Sequence, residues 1–63
     1  MEKVIAKINQ LHAELITNNG VMPQSWEPFA EVIIILLDIA KQFTDYKTYL
    51  IIDEIIEAIK AEE

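Results

Sequence analysis

Apolar residues recur at spacings of three and four along the first third of the chain: Val4, Ile5, Ile8, Leu11, Leu15 and Ile16 share one helical stripe. Glu2, Lys3, Lys7, Asn9, Gln10 and Glu14 fall mostly off that stripe. The pattern predicts an amphipathic helix over residues 2–18. Asn18-Asn19-Gly20 follows and supplies the left-handed residue that commonly ends a helix.

Val21 to Gln24 read as a connection, because Pro23 cannot sit in a helix interior. Ser25 is expected to cap a second helix over 26–43, with Trp26, Glu27 and Pro28 in the first turn, where a missing N–H costs little. Its centre is the unbroken aliphatic run Val32-Ile33-Ile34-Ile35-Leu36-Leu37. Six consecutive aliphatic side chains point in every direction around a helix, so one apolar face is left without a home in a small domain. At about 100° per residue, Glu27, Glu31, Asp38, Gln42 and Asp45 follow one polar line, with Lys41 beside it and Ile34 on it. Ile34 is therefore expected on the solvent side, marking a contact surface with neighbours Ile35 and Val32. A strand would suit Val and Ile, but no second strand of similar quality is present to pair with it.

Thr44-Asp45 offers the next N-cap, for a third helix over 45–61 with Tyr49, Ile52, Ile55, Ile56 and Ile59 as its apolar stripe. No Gly or Pro separates Phe43 from Tyr46. A helical hairpin with one long bent second arm thus stands beside the three-helix unit. Either way the fold class is all-α, in a single domain spanning residues 1–63.

Size changes what this pattern implies. A domain of about 60 residues buries only about 60% of its unfolded surface, and such folds add disulfides, a metal or oligomerisation. With no Cys and one His in 63 residues, oligomerisation is the route left open. A two-fold homodimeric helical bundle is the expected assembly, since cyclic dimers are the commonest oligomers.

The charge is −6, from five Lys against eleven acids. Scattered Lys3, Lys7, Lys41, Lys47 and Lys60, without Arg, argue against direct nucleic-acid binding and against an anionic membrane surface. Charge interrupts the start of the chain too early for a signal-peptide core, and the aliphatic run between Glu31 and Asp38 is too short to span a bilayer. A cytoplasmic protein is the expectation.

Little in the chain carries chemistry. His12 lies at the edge of an apolar stripe without a second His or Cys at ligand spacing. Asp53, Glu54 and Glu57 gather on one helix, as Mg²⁺-dependent all-helical nucleotide hydrolases require, but no cluster of phosphate-binding cations accompanies them. Ser25 and Thr44 read as caps, and one glycine cannot build a phosphate loop. No catalytic residue, metal or cofactor is expected. Trp26 and Phe29, with Met22 just before, form an apolar group suited to docking, unless Trp26 instead covers Leu15 and Ile16 at the end of the bundle. Asp53, Glu54, Glu57, Glu62 and Glu63 make an acidic surface that would suit a basic partner. The expected function is a non-enzymatic protein-interaction module, a homodimeric inhibitor or adaptor for another protein. The alternatives are a Mg-dependent nucleotide hydrolase assembled across a dimer, a purely structural self-assembling protein and an acidic DNA mimic.

Overall fold

A computed structural model describes residues 2–62, and among them the chain is all-helical with no strand. Glu63 lies outside the described residues. Helix α1 (Glu2–Thr17) leads through a loop to a 3₁₀-helix (Gln24–Phe29), followed by α2 (Ala30–Lys41) and α3 (Tyr46–Ala61).

The end of α1 is a Schellman turn. Gly20 N–H donates to Leu15 O at 2.9 Å and Asn19 N–H to Ile16 O at 3.0 Å. Asn19 takes the first left-handed position at φ 60°, and Gly20 follows at φ 77°. Asn tolerates this region better than most residues, which explains why a single glycine suffices.

The start of the second helix departs from expectation. Ser25 is not an N-cap; it lies inside the 3₁₀-helix, whose preceding residue Pro23 is extended and makes no side-chain cap bond. Pro28 is the physical reason. It disfavours α conformation at Glu27, and it has no N–H to give. The backbone turns tightly until Phe29, at φ −114° and ψ 8°, and regular α-helix begins only at Ala30.

α2 and α3 are separate helices, not one bent rod. The Asp45 carboxylate accepts the Thr48 backbone N–H at 3.1 Å with Asp45 itself extended at ψ 170°. That conformation fixes the start of α3 and ends α2 without help from Gly or Pro. Thr44 contributes no cap: its buried hydroxyl has no hydrogen-bond partner among the described residues.

α3 is the central element. Its Ile52, Ile55, Ile56 and Ile59 are buried, and they meet Ile8 and Leu15 of α1, Trp26, and Leu37 of α2. Burial of each such aliphatic side chain is worth about 1.5–3 kcal/mol. Tyr49, expected on this stripe, is instead partly exposed and stacks on Tyr46 at 6.4 Å. α1 and α2 both pack on α3 but make little contact with each other. That leaves the space between them open. Among the described residues, no helix is long and apolar enough to cross a membrane.

Candidate functional site

The gap between α1 and α2 is a groove of about 790 Å³. Val4, Ile8 and Leu11 of α1 form one wall, and Ile33, Leu36, Leu37 and Ala40 of α2 form the other. Trp26 and Phe29 of the 3₁₀-helix close one end, and Ile39 and Phe43 line the opposite end.

One edge of α2 is apolar and faces outward along its whole length. Phe29, Val32, Leu36, Ile39 and Phe43 are all more than half exposed, from 51% at Ile39 to 68% at Phe43. Their spacing is three, four, three, four. This is the a/d repeat of a helix that packs in a left-handed pair.

The opposite edge of α2 is the one that packs on α3, and this moves Ile34 from its expected place. Ile34 is half-buried and packs against the core. The cause is visible seven residues later on the same stripe, where Lys41 Nζ donates to Asp53 Oδ1 at 3.3 Å and lies 4.7 Å from the Tyr49 ring centroid, both on α3. The polar line of α2 therefore borders the α3 contact. Val32 and Ile35 are exposed as expected, Val32 on the apolar seam and Ile35 between the seam and the polar line.

Of the aromatic group, only Phe29 is presented to solvent. Trp26 is 6% exposed and belongs to the core, with its indole N–H donating to Glu14 Oε2 at 3.2 Å. Met22 is partly buried against the same core. Trp26 is thus an end cap of the bundle that also floors the groove, and not a projecting knob.

The acidic residues of α3 do not converge on one point. Asp53 is tied to Lys41, and Glu54 Oε2 accepts a 2.9 Å hydrogen bond from His12 Nε2 on α1. A carboxylate can only accept, so Nε2 carries the proton. Glu57 and Glu62 are exposed. Among the described residues, no group of three or more His, Cys, Asp or Glu is placed to hold a metal ion.

Two groups titrate away from their ordinary values. The hydrogen bond to Asp53 raises the Lys41 pKa, against the opposing effect of burial, and Tyr49 adds to the rise. Asp45 is lowered by hydrogen bonds from the Thr48 hydroxyl and, second, the Thr48 backbone N–H. Both are structural: Lys41 pins α2 to α3, and Asp45 caps α3.

The groove's charges are arranged by end. Lys3 and Lys7 line the end beside Ile39 and Phe43, whereas Glu14 lines the end beside Trp26 and Phe29. Sequence reasoning reached Val32, Trp26 and Phe29 of this surface but missed Leu36, Ile39 and Phe43, because it followed the polar line of α2 and not the seam. The signal was present as Phe29-x-x-Val32-x-x-x-Leu36-x-x-Ile39-x-x-x-Phe43. No protein-family model, curated protein or solved structure matches the chain, so the reading of the groove rests on its own geometry.

Proposed function

We propose that the chain is a non-enzymatic protein-interaction module, a homodimeric inhibitor or adaptor that associates through the groove between α1 and α2 together with the exposed seam of α2. The observation that carries this reading is the seam itself: a continuous a/d row left in solvent on a folded chain. Contiguous exposed apolar surface of this kind marks protein contact sites, whereas isolated exposed aliphatics do not. The groove runs along two helices and is bordered by exposed side chains, which suits a helix laid lengthwise.

The pairing of Asp53 with Lys41 and of Glu54 with His12 favours this reading over a nucleotide hydrolase. Carboxylates engaged in bridging helices are doing structural work. The same pairs neutralise part of the acidic surface that a DNA mimic would present, although Glu54 stays exposed beside Glu57 and Glu62.

The test is a photoreactive side chain at position 36 in the native host, followed by identification of what it captures. A discrete protein adduct that disappears when Phe43→Glu is added supports the reading. Capture of nothing, or of adducts indifferent to Phe43→Glu, counts against it.

A further inference from the structure

We propose that the occupant of the groove is a second copy of this chain, docked antiparallel about a two-fold axis that passes near Leu36. The proposal rests on the interaction reading above and names its partner.

Three features point to a second copy. The first is that ridge and groove belong to the same surface. The α2 seam is a row of knobs, and the gap beside it, floored by Ile8 and Leu37, is a row of holes. An isologous pair needs both on each subunit, because each seam must enter the partner's groove.

Charge is the second. Two copies at −6 each repel over most approaches. The groove carries little of that charge, and its two lysines and one glutamate lie at opposite ends. A two-fold axis perpendicular to the groove places the Lys3 and Lys7 end of each copy over the Glu14 end of the other. The lining is therefore complementary to itself when reversed, and a parallel pairing would set like charges together.

Area is the third. Phe29, Val32, Leu36, Ile39 and Phe43 together expose on the order of 500 Å², taking about 150–250 Å² for a whole aromatic side chain. That already falls in the range of about 300–600 Å² for the largest patch on a monomer. Adding exposed Val4 and the part-buried Leu11 and Ile33 brings this to roughly 600 Å², the lower end of what one partner contributes to a specific interface.

Sedimentation equilibrium from 1 to 100 µM tests the pairing. The expected mass is twice 7.3 kDa, or 14.6 kDa, and Leu36→Glu should sediment as a monomer with an unchanged helical spectrum. A bis-maleimide reagent should link Leu36→Cys to itself, and the natural chain has no Cys to interfere. Ile16→Cys, exposed but outside the groove, should remain unlinked.

The register has its own test. The variant Lys3→Glu/Lys7→Glu and the variant Glu14→Lys should each self-associate about tenfold more weakly, while a mixture of the two should pair with native affinity. Unchanged pairing of both variants, or a mixture no tighter than either alone, overturns the antiparallel arrangement. Crosslinking through Ile16→Cys overturns the face. A folded monomer at 100 µM overturns the second copy as occupant, and capture of a different protein at position 36 would then leave the interaction reading standing. A monomer that also captures nothing removes both.

Discussion

Trp26 on the 3₁₀-helix donates its indole N–H to Glu14 on α1, joining the two segments that bracket the loop at 18–23. The ring packs with Leu15 and Leu37 in the same buried cluster, and the 3₁₀-helix that carries it is in contact with α2.

Trp26→Ala is expected to cost about 3–5 kcal/mol, comparable to the whole net stability of a domain this small. Most of the chain should be unfolded at 25 °C. Trp26→Phe keeps much of the packing and loses the hydrogen bond, at about 1 kcal/mol. Urea denaturation followed by far-UV circular dichroism measures both. A Trp26→Ala chain with native stability would mean that the ring does not belong to the core.

Ile34→Glu and Leu36→Glu should separate folding from assembly, although the two positions are only two residues apart. Ile34 packs against the core beside α3, so a carboxylate there is expected to cost about 2–4 kcal/mol within a single chain. Leu36 is 60% exposed, and its replacement should shift the stability of the isolated chain by no more than about 0.5 kcal/mol. Introduced into a Phe43→Glu chain, which is expected not to pair, and denatured at 1 µM, the two changes report the monomer term alone. If Leu36→Glu proves the more damaging of the two at that concentration, the facing of α2 given by the structure is wrong.

The three α-helices, the left-handed stop at Asn19-Gly20 and the α3 stripe were legible in the sequence because each depends on local pattern. Asp45 likewise announced itself as a cap. Orientation about the α2 axis was not legible, since apolar residues occur on nearly every side of that helix and periodicity selects a face only when some face is polar throughout. The narrow polar line through Glu31 and Asp38 drew Ile34 into it, although Lys41 on the same edge turns inward to Asp53. The fate of Ser25 was hidden for another reason. Pro28 is tolerated in the first turn of an α-helix as well as in a 3₁₀-helix, so the sequence pattern did not distinguish the two.

Lys41, Tyr49 and Asp53 should behave as one unit in double-mutant cycles. Lys41→Met and Asp53→Asn each leave the other partner unpaired, so the double variant is expected to be more stable than additivity requires. The Lys41 pKa is raised on folding, so its contribution is fully present below the ordinary value of 10.5 and is lost only as pH rises through the higher folded value. Between pH 6 and 9 the thermal shift caused by Lys41→Met should therefore be flat. A slope across that range would assign the effect to a different titrating group.

Asp45 gives the opposite sign. Its folded pKa lies below the ordinary 3.8, because the Thr48 hydroxyl and backbone N–H both donate to the ionised carboxylate. The charged cap is preferred in the folded chain, so its stabilisation is present above 3.8 and disappears as pH falls through the depressed folded value. Asp45→Ala should lower Tm by roughly 5 °C at pH 7, by loss of the α3 cap. The same difference should persist at pH 5 and shrink toward that of an uncharged cap as the carboxylate is protonated. Asp45→Asn retains an oxygen that can accept the Thr48 N–H but has no charge to titrate. Its Tm should fall less than that of Asp45→Ala at pH 7, and its deficit against the native chain should narrow in acid. Thermal melts of the three chains from pH 2.5 to 7 decide the matter, and a native-minus-Asn difference that grows on acidification would contradict the charged cap.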